Sequence, residues 1–98
     1  MPEVRLSGDA RADLIEIDEF GSERFGDDAA DAYQRAIKHV LTRLEDFPLI
    51  GEARPDYGAG IRCIGYKSHR ILYRVENERV EIARILHHSR DVPRHLPQ

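Results

Sequence analysis

Residues 61–91, IRCIGYKSHRILYRVENERVEIARILHHSRD, alternate polar and apolar side chains in two long runs around a polar tip. A period of two over such a length commits the stretch to antiparallel strands. Taking Asn77-Glu78 as a two-residue turn sets the register, with Val75 opposite Val80, Tyr73 opposite Ile82 and Arg74 opposite Glu81. Ile71, Tyr73, Val75, Val80 and Ile82 then face a core, and Arg70, Leu72, Arg74, Glu81, Ala83 and His87 lie on a charged opposite face. A slip of one residue would exchange the two faces. Arg84 falls on the core-facing side of this register, so either a bulge re-aims it or it emerges at the sheet rim.

A sheet with one apolar face needs something to cover it, and the N-terminal half supplies the cover. Val4 and Leu6 alternate in a short strand from Glu3 to Ser7. Ser7-Gly8-Asp9 offers capping side chains, and Ala10, Leu14, Ile17 and Gly21 follow at helical spacing, which predicts a helix from Asp9 to about Phe25. A second helix, about Asp28 to Phe47, carries one apolar stripe of Tyr33, Ile37, Val40, Leu44 and Phe47 before Pro48 stops it. Two helices so closely joined form an antiparallel hairpin whose stripes are buried only by docking on the sheet. Residues 49–60, LIGEARPDYGAG, read as an ordered loop leading to the sheet, and Ser89 to Gln98 as a short basic tail pinned by Val92 and Leu96. The fold class that follows is α+β.

At 98 residues the chain is long enough for one domain with one core, expected to span residues 1–98. No apolar run reaches the length of a membrane span, and the N-terminus lacks a secretory pattern, so a cytoplasmic location is expected. The lone Cys63 rules out an internal disulfide and reads as a small core or edge filler. Charge is divided unevenly. Residues 1–53 hold 6 Lys and Arg against 13 Asp and Glu, whereas residues 54–98 hold 9 against 5. Such a molecule could meet an anionic partner with the sheet and tail only; the alternative is that both halves carry ordinary solvated surface. Phosphate-binding loops, dinucleotide-binding glycine patterns, paired-cysteine zinc spacings and nucleophile elbows are all missing. No cofactor or metal is implied, and a site built from His69, His87 and His95 has little to recommend it.

Certain strings, in this order and spacing, carry a resemblance. They are Ser7-Gly8-Asp9-Ala10 with Asp13-Leu14, Gly60-Ile61-Arg62, Arg70-Ile71-Leu72-Tyr73-Arg74-Val75, and Ile85-Leu86-His87-His88-Ser89-Arg90-Asp91. Over nearly its whole length the chain resembles the RelE/ParE superfamily of small bacterial toxins, and within it the ParE branch. The resemblance implies a strand and helical hairpin packed on one face of a small antiparallel sheet. It also implies a toxin that traps the DNA-cleavage complex of DNA gyrase and is silenced, in a heteromeric complex, by a cognate DNA-binding, ParD-like antitoxin. On that reading the toxin acts by binding, and Arg62, Arg70, Arg84, His87, His88 and Arg90 would meet the target.

Two alternatives stay open. A RelE-like, ribosome-dependent mRNA endoribonuclease would use Arg62 and Arg70 to hold phosphate and His87 or His88 as acid. The RelE pattern is lysine-rich and ends in a tyrosine, whereas this chain has only Lys38 and Lys67 and no tyrosine after Tyr73. Its pI of about 5.9 also fits poorly with docking on ribosomal RNA. The third reading is a toxin-derived protein that binds its antitoxin without a working target. Arg74 opposite Glu81 reads as a cross-strand ion pair. In a regular strand His87 and His88 would point to opposite faces.

Overall fold

In the computed structural model, which describes residues 3–92 and Leu96, one hydroxyl near the N-terminus serves two elements at once. The Ser7 Oγ accepts from the Ala10 amide at 2.9 Å, capping the first helix, and donates to the Ala83 carbonyl at 2.7 Å. That helix, α1, runs Gly8–Phe25, after a first strand β1 at Glu3–Leu6. Ala10, Asp13 and Leu14 are buried and Ile17 packs against them, a spacing of three and four that defines one helix face. Gly26, with φ of 91°, both ends α1 and opens α2 at Asp27–Asp46, so the hairpin turns on a single residue in a conformation that favours glycine. Gly21 brings the two helices close, since a Cβ there would sit 3.4 Å from the Ala30 Cβ.

Ile37, Leu41 and Leu44 form the buried stripe of α2, with Tyr33 and Val40 beside it. Phe47 departs from expectation. The helix ends one residue earlier, and Phe47 is 58% exposed.

The sheet is larger than three antiparallel strands. Its order is β1-β5-β4-β3-β2, with β2 Glu52–Ala53, β3 Arg62–Tyr66, β4 His69–Glu76 and β5 Arg79–His87. The meander β3-β4-β5 is antiparallel, as is β2 on β3, but β1 runs parallel to β5. The sheet is therefore mixed. β2 lies inside what reads as loop in the sequence, too short to announce itself by alternation.

The β4–β5 turn sits at Asn77 and Glu78, both with positive φ, 49° and 61°, the paired left-handed geometry that matches strand twist. Val75, Tyr73 and Arg74 pair with Val80, Ile82 and Glu81. A register shift then falls opposite the Leu72/Tyr73 step, where Tyr73 pairs with Ile82 but Leu72 with Arg84. Ala83 is the extra residue of a β-bulge. Beyond it the parity of β5 changes: Ile85 pairs with Ile71 on the helix side, and His87 pairs with His69. His87 is thus moved off the outer face on which uninterrupted alternation places it.

The outer face is also not simply charged. Tyr57, Ile61, Leu72, Leu86, Val92 and Leu96 are buried together there as a second core, separate from the one under the helices. A 3-10 turn at Pro55–Tyr57 and the start of the tail cover this side of the sheet. Val92 and Leu96 do pin the tail, while Arg94 and His95 lie outside the described residues.

Gly51 locks the hairpin-to-sheet connection. Its amide donates to the buried Tyr73 hydroxyl at 2.8 Å, and a Cβ at this position would lie 2.6 Å from that oxygen. Only glycine fits such an approach.

Candidate target-binding surface

The six basic residues singled out from the sequence have three different fates. Arg84 is drawn inward by the bulge. Its Nε and Nη2 donate to the two carboxylate oxygens of Asp13, each at 2.8 Å, and the Ile85 amide donates to the same carboxylate at 2.9 Å. Asp13 is nearly sealed, with its side chain 7% exposed against 19% for Arg84. The Asp13 hydrogen bond, aided by the nearby charges, holds the Arg84 guanidinium above its usual value despite burial. Bulges leave ladder groups without strand partners, and two sequence signals answer that need. Ser7 takes the Ala83 carbonyl and Asp13 the Ile85 amide. The spacing Ser7…Asp13 thus matches one helix turn and a half to one strand bulge.

Arg62 and Arg70 secure loops. Arg62 Nη1 donates to the carbonyls of Gly51 at 2.6 Å and Leu49 at 3.3 Å. Arg70 Nη1 donates to the Tyr57 hydroxyl at 3.2 Å, and its Nη2 to the His88 carbonyl at 3.0 Å. Arg74 follows the same habit, reaching the Ala59 carbonyl at 3.2 Å rather than closing an ion pair with Glu81. Arg54 lies 3.9 Å over the Tyr57 ring and forks onto Asp56 through Nε and Nη2, at 2.9 and 2.7 Å. That fork raises Arg54 and lowers Asp56 from their ordinary values.

His87, His88 and Arg90 form the exposed group at the end of β5. The Arg90 amide returns to the His87 carbonyl at 2.9 Å, and the His88 amide to the Ser68 carbonyl at 2.8 Å. The β3–β4 turn and the end of β5 are thereby one corner. His88 lies just past the strand, so the two imidazoles do not part to opposite faces. Their ring centroids are 4.3 Å apart at 34°.

The corner contains two residues outside the expected target-binding set, His69, which the sequence offers only as part of a weak metal site with His87 and His95, and Tyr33, which it offers as a stripe residue of α2. His69 meets the His87 ring edge-on at 5.5 Å, and the Tyr33 hydroxyl from α2 lies 2.7 Å from His69 Nδ1. Burial first, then the neighbouring His87 and His88, hold His69 below its usual value, with Asp13 opposing them. Burial raises Tyr33. On the outer face, burial raises the half-buried Cys63 thiol, with Arg70 and Arg54 opposing it. The pairing of His69 with His87 follows once a bulge is put at Arg84, so the misplaced arginine was its signal. Nothing in the sequence signals the Tyr33 contact, which joins residues 36 apart. No group of three metal-ligating side chains capable of holding an ion occurs among the described residues. No described helix is long and apolar enough to cross a membrane.

A second exposed feature is apolar. Phe47, Pro48, Leu49 and Ile50 line a hollow where the hairpin hands the chain to β2, and Phe47, Leu49 and Ile50 are all exposed.

Residues 4–92 match the family model for the ParE toxin of the type II toxin–antitoxin system parDE. The chain is 37% identical over 92 residues to Toxin ParE1 of Mycobacterium tuberculosis, covering 93% of this chain and 94% of that protein. It is 35% identical over 96 residues to Toxin ParE1 of Caulobacter vibrioides, covering 98% and 99%. Among solved structures, the fold is similar to a chain of the chromosomal ParDE system from P. aeruginosa, with a TM-score of 0.79 at 22% identity, covering 89% of this chain and 96% of that one. A chain of the Mycobacterium tuberculosis toxin–antitoxin complex RelBE2 matches with a TM-score of 0.68 at 25% identity, covering 89% and 99%.

Proposed function

Because this chain belongs to the ParE toxin family of type II toxin–antitoxin systems, we propose that it acts as a single toxin domain that inhibits DNA gyrase by trapping the enzyme's DNA-cleavage complex. The observation that carries this reading is the corner built by His69, His87, His88 and Arg90, with Arg70 holding it from the outer face. It is an exposed cluster in the basic half of the chain, with His69 and His87 on strands and His88 and Arg90 directly after β5, and a rigid base favours a binding inhibitor. Arg62 and Arg70 act from behind by fixing the loops. Arg84 acts through the bulge, since its guanidinium is committed to Asp13.

A cognate ParD-like antitoxin silences the toxin in a cytoplasmic heteromeric complex. The exposed Phe47, Leu49 and Ile50 support such a partner, because an apolar patch rimmed by charge is a common protein-docking feature. The RNA-cleaving alternative has one observation in its favour, the contact of a phenol and two imidazoles that could move protons. The loop-bound state of Arg62 and Arg70 counts against it, because both would have to leave carbonyl partners to hold a scissile phosphate.

The test is a DNA-cleavage assay with purified gyrase. Accumulation of gyrase-linked linear DNA, prevented by the antitoxin, is the expected result. Cleavage of messenger on translating ribosomes, with gyrase unaffected, would overturn it.

A further inference from the structure

Tyr33, His69, His87 and His88 form an unbroken series of rings at the sheet corner. Tyr33 and His69 meet at 5.5 Å and 64°, His69 and His87 at 5.5 Å and 90°, and His87 and His88 at 4.3 Å and 34°. Hydrogen bonds define which nitrogen carries the proton. The Ser89 amide donates to His87 Nδ1 at 3.2 Å, so in the neutral ring that atom holds a lone pair and Nε2 carries the hydrogen. The Tyr33 hydroxyl lies 2.7 Å from His69 Nδ1 and 3.4 Å from the Tyr66 carbonyl, so it donates to the neutral imidazole at the shorter distance. His69 too then carries its hydrogen on Nε2.

Both rings keep a partner when a proton arrives. Protonated His69 donates from Nδ1 to the Tyr33 oxygen, and the phenol hydrogen turns to the Tyr66 carbonyl. Protonated His87 donates from Nδ1 to the Ser89 hydroxyl, 2.8 Å away. In either state each ring retains an Nε2–H donor; protonation of His69 only reverses its bond to Tyr33, whereas at His87 it gives up the bond accepted from the Ser89 amide and keeps the one to the Ser89 hydroxyl. Two imidazolium rings in contact repel, and an anion held against them would offset that repulsion.

The surroundings favour an anion. Arg70 approaches through the His88 carbonyl, Lys67 lies 5.7 Å over the Tyr66 ring, and Arg90 follows in the chain. Of the carboxylates, Asp13 acts on His69 from α1, but its own oxygens are bound to Arg84 and the Ile85 amide, and Asp91 follows Arg90. We infer that this corner binds a phosphodiester group of the DNA backbone and takes up a proton as it does so, a reading that rests on the gyrase proposal for the source of the phosphate. A phosphodiester offers several acceptor oxygens to convergent N–H donors and a fixed single charge to the imidazolium.

The probe is dimethyl phosphate, whose charge is constant across the pH range, titrated into the full chain while histidine ring signals are followed by NMR at constant ionic strength. His39, exposed on α2, is the internal control. Saturable shifts of His69, His87 and His88 at pH about 6, weakened about tenfold at pH about 8 and unmatched at His39, are expected. His87→Gln should weaken binding at least about tenfold while the His39 signal reports an intact fold. A short DNA duplex should move the same signals and inorganic phosphate should do so without exceeding it. Equal shifts at His39, no shifts, or an affinity independent of pH would overturn the proton-linked site. Binding of both small phosphates but not of duplex would overturn the DNA assignment. Gyrase is absent from the tube, so a failed gyrase reading is detected separately, in the cleavage assay.

Discussion

The two faces of the sheet are closed by different means. Under the helices, Ile37 and Leu44 meet Ile71, Tyr73, Ile82 and Ile85, all essentially without solvent contact, so side chains from regular elements interlock over a broad area. On the outer face a smaller core of Leu72 and Leu86 is covered by single residues from loops, Tyr57, Ile61, Val92 and Leu96. Hydrogen bonds from Arg70 and Arg74 to the Tyr57 hydroxyl and to loop carbonyls supplement that thinner cover. The helix face is held by area, the outer face by area plus arginine tethers. The same basic residue type is therefore scaffold on one side and, at the exposed corner of the same sheet, available to a partner.

The largest effect should come from the ion pair that crosses from α1 to the bulge. Asp13→Ala removes the one carboxylate that the Arg84 guanidinium and the Ile85 amide share and should cost about 3–5 kcal/mol of unfolding free energy by urea titration. Next, Ile71→Ala under the helices should cost about 3–4 kcal/mol, and Leu86→Ala under the loops about 2 kcal/mol, because loops close over a cavity more readily than helices do. Equal costs would erase the distinction between the faces. Tyr73→Phe removes the partner of the Gly51 amide and should cost about 1–2 kcal/mol.

The smallest effect sharpens the comparison by pH. His69 is held below its usual 6.5, so between the two values the unfolded chain binds more protons than the folded one. Its contribution to stability is then complete above about 6.5 and lost as pH falls. Urea midpoints should drop on acidification, and His69→Gln should flatten that drop.

The helix face could be read in the sequence because its residues repeat with the period of the element that bears them. Ile71, Tyr73 and Ile82 alternate, and Ile37, Val40 and Leu44 step by three and four. Asn77-Glu78 sets the register as far as the Tyr73–Ile82 pair without being a favoured turn pair, because alternation on both sides of the turn agrees with it there. Of the outer core only the pinning role of Val92 and Leu96 is legible in the sequence, because Tyr57, Ile61, Val92 and Leu96 share no period; the fold brings them together from separate loops. Arg84 was the informative exception. A charge on the apolar side of an otherwise regular strand marked the bulge, and the bulge in turn sets His87 beside His69. Asp13, which the sequence presents only as part of the string Asp13-Leu14, is the other half of that feature.

On the proposed function, the corner at the end of β5 acts on the target while the hairpin's charged surface does not. Gyrase-dependent DNA cleavage should be measured for the wild-type chain, for His87→Ala with Arg90→Ala, and for Arg24→Ala with Arg35→Ala on the hairpin. The corner variant, folded by circular dichroism, should lose cleavage at least about tenfold, the loss of about 1.4 kcal/mol of binding, and the hairpin variant should match wild type. Full cleavage by the corner variant would contradict a target contact at this corner.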